Sequence, residues 1–333
     1  MSSIIYSRIE ERHLPLLREF CRVNWGGEHP LIHNREMFDR YYRSDSGINM
    51  VIAYIPDGGS IDIQGVCGYI PTNSSACPDV FLSYILSKKG LKFSISLRLI
   101  EYIQEITGAK TVNCNNIRRN TAGIYEFLGY TVADMQHYYR LNPDIPLFSL
   151  CRVVTRKVTG IRSKQIEAYA ADVADIESFP FERYTENRPF KDREYTLRRY
   201  LTYPFHSYTI MRLHDEMNEA LLVLRRIQYN DSCMLRVADF IGSRELIRES
   251  GYILDSLMKE NNAEFIDWYA YGADESEMEY AGFSLCSEEQ SEIVPIYLSP
   301  PVMENVTVTV FVSDPAGFMM FRADGDQDRP NLG

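Results

Sequence analysis

What most limits the folds open to this chain of 333 residues is a repeated order of elements. In the first half a helix carrying Phe38-Asp39-Arg40-Tyr41-Tyr42 leads to a strand-like run over 49–54. In the second, Leu197-Arg198-Arg199-Tyr200-Leu201 leads to one over 207–211. Strand-like runs follow over 65–70 and 80–85, answered by 220–225 and 236–241. Each half then shows apolar residues at helical spacing, over 97–107 and 251–260, before a polar turn and a further strand. Finally Tyr125-Glu126-Phe127-Leu128-Gly129-Tyr130 matches Met278-Glu279-Tyr280-Ala281-Gly282-Phe283. Chance supplies any one pairing easily, but not the ordered series. The chain also exceeds what one hydrophobic core usually holds. The expectation is an α/β (α+β) chain of two tandem domains, each a mixed, mostly antiparallel sheet flanked by helices. The boundaries read as 1–142, a linker over 143–162 interrupted by Pro143, Pro146 and Gly160, and 163–333 with a polar tail. A bridging strand over 150–158 is the alternative for the linker.

A formal net charge of -11 describes an acidic chain on which a nucleic-acid surface would have to be a local basic patch. The absence of a long apolar run near the N-terminus argues against a secretory signal or membrane span, so the expected compartment is the cytoplasm. Seven cysteines are scattered, with no Cys-x-x-Cys pair and no histidine at ligand spacing, and read as buried thiols rather than metal ligands. The tail, Phe321-Arg322-Ala323-Asp324-Gly325-Asp326-Gln327-Asp328-Arg329-Pro330-Asn331, has alternating aspartates but no closing Glu. It fails the calcium-loop pattern and reads as a capped, solvated or inter-domain segment.

The eleven residues Asn120-Thr121-Ala122-Gly123-Ile124-Tyr125-Glu126-Phe127-Leu128-Gly129-Tyr130 describe a short helix running into an aromatic strand. Asn120 is placed to cap the helix, Ile124, Tyr125 and Leu128 share one stripe, and Gly129 suits a left-handed C-terminal residue. At this point the sequence resembles the GNAT superfamily of N-acyltransferases, whose late motif has an Asn, a helical Tyr and then Gly-Phe or Gly-Tyr opening a strand. The order of elements is similar to that fold in both halves. The resemblance implies acetyl-CoA or another acyl-CoA as co-substrate, lying in a wedge between the fourth and fifth strands. Pantetheine would follow Leu82, Tyr84 and Ile85. The phosphates would lie at Ser87-Lys88-Lys89-Gly90-Leu91-Lys92-Phe93-Ser94, where Lys88, Lys89, Gly90 and Lys92 supply charge and backbone N–H groups. This loop departs from the family's Gln/Arg-x-x-Gly-x-Gly/Ala pattern. Asn116 and Asn120 follow the fifth strand as further cofactor-side candidates. Tyr125 falls on the position whose hydroxyl protonates the departing thiolate; Met278 or Glu279 stands near the matching place in the second copy.

Attack by an amine also needs a base. Asp79, at the start of the fourth strand, is the candidate, with Asp239 on the substrate side of the second copy. Trp25 and His29, in Trp25-Gly26-Gly27-Glu28-His29-Pro30, lie where GNAT proteins cover the acceptor and suit stacking on a sugar or an amide. The leading expectation is transfer of an acyl group from CoA to a small amine by direct attack, without metal. The doubled outline and the tail resemble bacterial surface-polysaccharide biosynthesis proteins, which points to an amino-sugar nucleotide. Two alternatives stand beside it: a Fem-type transferase drawing aminoacyl groups from tRNA, and a tandem binding protein without chemistry.

Overall fold

A computed structural model of the chain describes residues 3–90, 94–154, 158–286 and 292–330. Contacts divide the chain into two units: Met1–Asn115 with Arg329–Gly333, and Asn116–Asp328. Each contains helices and a mixed sheet, as the repeated order of elements implies.

In the first unit β1 (Ile5–Arg8), β2 (Met50–Asp57), β3 (Ser60–Pro71), β4 (Asp79–Ser87) and β5 (Thr111–Cys114) lie side by side in chain order. The neighbours are antiparallel except for β4 and β5. Helices cover both faces because β3 alternates. Gly65 points to α3 (Ser94–Thr107), where an added Cβ would stand 2.8 Å from Ile95. Gly68, three residues on and hence on the other face, makes room for Tyr42 of α2 (Arg35–Tyr42), which follows α1 (Leu14–Cys21) in the chain. The Tyr42 hydroxyl meets Ser83 of β4 at 2.8 Å, so this buried ring is anchored at both ends.

In the second unit β6 (Thr131–Asp134) pairs with β14 (Thr309–Val312). The larger sheet contains β7 (Gln136–Leu141), β8 (Glu167–Ala170), β9 (Thr209–His214), β10 (Glu219–Tyr229), β11 (Ser232–Gly242), β12 (Phe265–Tyr271) and β13 (Ser284–Leu285). Its order is β8-β9-β10-β11-β12-β7-β13, and β15 (Met320–Phe321) adds to β12. Strand β7, which the sequence reading puts inside a first domain ending at 142, therefore lies within this sheet, between β12 and the short edge strand β13. Its side chains alternate between two cores: Tyr138 joins Leu235, Trp268 and Phe283, whereas Tyr139 and Leu141 join Met234 and Phe265. Membership of a sheet depends on which edge a strand finds, and nothing local to 136–141 records that. The suggested strand over 150–158 is reduced, among the described residues, to a single bridge from Arg152 to Ile293.

The repeated helix-to-strand turn has the expected geometry in both copies. In α4 (Ala122–Phe127) the Tyr130 N–H reaches the Tyr125 carbonyl and the Gly129 N–H that of Glu126. In α6 (Glu275–Tyr280), which follows α5 (Gly251–Glu260), Phe283 and Gly282 make the same bonds to Met278 and Glu279. Asn120 does not cap α4; it sits exposed in the 3-10 turn Arg119–Thr121, and the α-helix begins one residue later than its sequence suggests, with Thr121 at the N-cap. No helix among the described residues is long and apolar enough to cross a membrane.

Both turn glycines are left-handed, with φ of +80° at Gly129 and +90° at Gly282. An added Cβ at Gly129 meets nothing within 4 Å, whereas at Gly282 it would stand 2.7 Å from the buried Arg140 guanidinium. Gly129→Ala is expected to cost about 1 kcal/mol, the strain of φ alone, and Gly282→Ala about 2–3 kcal/mol. Urea unfolding of the two variants checks this; equal losses would mean that Arg140 and Ile161, 2.8 Å from the added Cβ, both give way freely.

Candidate active site

In the first unit, parallel pairing of β4 with β5 covers Asp79 with Thr111, Val80 with Val112 and Phe81 with Asn113, and then stops. Immediately beyond, β4 carries a bulge. Ser83 opposes Gly68 and Ile85 opposes Cys67, so Tyr84 is the extra residue. A bulge bends its strand and increases its twist. β4 therefore turns away from β5, and from Leu82 onward one edge of its backbone has no strand beside it among the described residues. This is the first cleft. Asn113 stands at the parting point, donating to the Thr111 hydroxyl at 2.7 Å and the Val80 carbonyl at 3.3 Å. Its side-chain oxygen is a buried acceptor without a donor.

Three rings meet at the bulge. Trp25 and His29 are 4.9 Å apart between ring centres, Trp25 and Tyr84 5.5 Å, and His29 and Tyr84 4.8 Å. The residues expected on the acceptor side thus touch one expected on the cofactor strand. Trp25 keeps 42% of its surface exposed while Tyr84 is buried. His29 Nδ1 accepts the Leu31 N–H at 3.3 Å and caps the short helix Pro30–His33, so we infer that the neutral ring carries its proton on Nε2. Burial pushes the neighbouring Cys21 thiol up to about 12 and raises the Tyr84 phenol, so both are protonated at neutral pH.

The loop leaving β4 is tied down. Lys88 pairs with both carboxylate oxygens of Asp62 at 2.9 Å, and that ammonium lowers the Asp62 carboxyl. The Lys89 N–H donates to Asn24 Oδ1 at 3.0 Å, Gly90 has φ of +84°, and Ser87 meets Ser96 of α3 at 2.6 Å. Both members of the Lys88–Asp62 pair are about half exposed, so an anion competes for the lysine at little cost. Lys92 lies outside the described residues. Asp79 is at the other end of β4, about 17 Å from Tyr84 by strand rise. Its buried carboxylate accepts the Thr111 hydroxyl at 2.7 Å and braces the closed end of the cleft.

The second unit repeats this construction. β11 and β12 pair in parallel over Leu235–Ile266, Arg236–Asp267 and Val237–Trp268, and the bulge follows at Ala238, between Val223 and Leu224 of β10. Here the gap is filled by the chain itself. β12 uses one edge for β7, with Ala270 opposite Gln136, so β15, with Phe321 opposite Ala270, must lie on the edge that β11 has left. The Ala323 N–H then donates to the Ala238 carbonyl at 2.9 Å, directly at the bulge.

The segment read as a capped, solvated or inter-domain tail is therefore interior, and two of its aspartates, Asp324 and Asp328, are paired with cations. Lys191 lies 2.5 Å from Asp239 and 2.7 Å from Asp324. Tyr200 and the Phe240 N–H also donate to Asp239, which is fully buried and so belongs to this cluster rather than to an open substrate surface. Arg199 donates to the carbonyls of Ala323 and Gln327 at 3.0 and 2.6 Å. Asp328 accepts Arg225 at 2.8 Å and Tyr208 at 2.9 Å. An aspartate inside an apolar strand signals that a partner exists, but nothing in the sequence around Lys191 or Arg199 marks them as those partners.

The remaining candidates belong to this unit. Tyr125 is buried and stacks on Phe311 of β14 at 4.2 Å. Met278, wholly buried, takes the matching place in the second copy. Asn116, left-handed at φ of 66°, donates to Gln327 at 3.3 Å.

Solved structures with the same arrangement of elements are GCN5-related N-acetyltransferases. One from Kribbella flavida has a TM-score of 0.56 at 10% identity over 93% of this chain and 71% of that one. One from Anabaena variabilis ATCC 29413 has 0.55 at 10% over 93% and 72%. The chain has the GNAT fold. A probable N-acyltransferase from Enterococcus faecalis V583 is similar at 0.53, with 10% identity over 93% and 72%. At such identities the likeness is one of fold. No protein-family model and no curated protein matches the sequence.

The buried aspartates of the second GNAT cleft titrate in opposite senses. Burial, reinforced by Asp239 and opposed by Lys191, pushes Asp324 up to about 6. Asp328, despite burial, is held well below the carboxylate range by Arg225, His206 and Arg236. The contribution of Asp324 is thus full below the ordinary carboxylate value and is lost as pH rises through about 6. That of Asp328 is present above the ordinary value and is lost as pH falls. Asp324→Asn is expected to remove a decline in stability between about pH 4 and 6. Asp328→Asn is expected to lower stability most at neutral pH. Urea midpoints from about pH 2 to 7 test both, the Asp324 effect appearing above about pH 4 and the Asp328 effect fading below it; variants running parallel to the unmodified chain over the whole span would contradict the assignment.

Proposed function

We propose that the chain is an acyl-CoA-dependent N-acyltransferase whose first cleft takes the acyl-CoA. The observation that carries this reading is the unpaired edge of β4 beyond Phe81. Its backbone groups suit an extended ligand that pairs as a strand would, and pantetheine, with two amides, has that character. Asn113 Oδ1 offers an acceptor at the head of the same cleft. The loop holding Lys88, Lys89 and Gly90 ahead of α3 suits the phosphates.

In the proposed reaction the amine nitrogen attacks the thioester carbonyl. The C–N bond forms, the C–S bond breaks, the nitrogen releases its proton to water, and the thiolate leaves as the thiol. Tyr125 is the proposed donor of that last proton, a role carried by its place in the sequence motif, and its phenolate regains a proton from water. The proposed acceptor is a small amine, specifically an amino-sugar nucleotide of surface-polysaccharide biosynthesis. Trp25 offers an exposed ring face for a sugar, and His29 an Nε2–H.

Calorimetric melting with acetyl-CoA and, separately, uncharged tRNA tests the donor. Acetyl-CoA at a hundred times its Kd is expected to stabilise the chain by about 2.7 kcal/mol, with no effect of tRNA. A shift with tRNA alone would replace this reading by aminoacyl transfer. Trp25→Ala is expected to raise KM for the amine about tenfold and leave that for acetyl-CoA unchanged. Tyr125→Phe keeps the Phe311 stacking and is expected to lower kcat about a hundredfold. Unchanged turnover would remove Tyr125 from the mechanism.

A further inference from the structure

We propose that residues 318–328 are a resident ligand of the second cleft, a strap that denies it to acyl-CoA and leaves the chain one acyl-CoA site. The stoichiometric half of this inference rests on the function proposed above; the strap itself does not. The two clefts are built alike, each a three-pair parallel ladder followed by a bulge on the longer strand. In the first, the bulge residue is Tyr84. In the second it is Ala238, and its carbonyl is already taken by the Ala323 N–H. The opposite wall is taken as well, since Met320 and Phe321 pair with Tyr271 and Ala270. An extended ligand entering the second cleft would need those same backbone groups.

The side chains hold the strap by three separate means. Phe321 enters the core beside Trp268, their rings 6.2 Å apart. Lys191 bridges Asp324 of the strap to Asp239 of β11, and Arg225 holds Asp328. Arg199 gathers two strap carbonyls. Removing the strap would leave Lys191 and Asp239 paired with one partner fewer in a buried site, and would expose an aromatic ring. Small ligands do not readily displace an occupant fixed in this way. The polar sequence of the strap is the consequence of its place: Asp324 and Asp328 answer cations on the wall of the cleft, and Arg322 and Asp326 bond to Gln327 within the strap.

Amide hydrogen exchange of the full chain, with and without acetyl-CoA, tests the strap, and titration calorimetry of the same protein tests the stoichiometry. The Ala323 amide is expected to exchange about a thousandfold more slowly than in an unstructured chain. That protection should be the same when acetyl-CoA is bound, and calorimetry should give one site per chain. Two sites, or loss of Ala323 protection on adding acetyl-CoA, would overturn the proposal. If acetyl-CoA does not bind at all, the function proposed above fails, and the strap is judged on exchange alone: an unprotected Ala323 amide would refute it. Ala323→Pro removes that N–H and also fixes φ at 323, so both effects loosen the strap at the bulge. It should speed exchange over 238–242 about tenfold while acetyl-CoA affinity stays within twofold; unchanged exchange there would also refute it.

Discussion

Both sheets depend on one constraint: a pair of parallel strands that stays together for three residue pairs and is then forced apart by a bulge. A longer ladder would satisfy more backbone groups and leave no cleft. The extra residue, Tyr84 in one unit and Ala238 in the other, turns the strand and leaves polar backbone groups needing partners. The two units answer that need differently. The second supplies the partners from its own chain, while the first keeps an edge on which an extended ligand can pair.

What surrounds each bulge follows from that difference. Around Tyr84 the walls are aromatic, with Trp25 reaching solvent, and the nearby lysine pair is a half-exposed one that an anion can divide. Around Ala238 the walls are ionic and buried, with carboxylates and cations matched one against another. Matched buried charges add little net stability against an apolar alternative, but a wrong pairing among them is costly. Their effect is to fix the register in which the C-terminal segment lies.

The sequence made the repeat, the helices and the two left-handed glycines legible, because these depend on periodicity and local backbone sterics. Tyr125 and Met278 are correctly paired by it, since both end the same helix-to-strand turn. It also named Trp25, His29 and Tyr84, though as members of different subsites, and only folding shows that their rings touch. Non-local choices were not legible. Strand β7 carries no mark of the sheet it joins. Asp79 and Asp239 read alike as carboxylates near a cleft, yet one braces a closed end and the other pairs with a lysine forty-eight residues away in sequence. The C-terminal segment misleads most, because polarity in a sequence resembles exposure until the opposing charges are brought to it.

The most direct test of this account is a crystal structure of the chain grown with acetyl-CoA. Pantetheine is expected along the edge of β4 from Leu82 past Tyr84, with residues 318–328 unmoved between β11 and β12. Acetyl-CoA seated at Ala238 with that segment displaced would contradict the central claim, as would a cofactor bound away from both bulges.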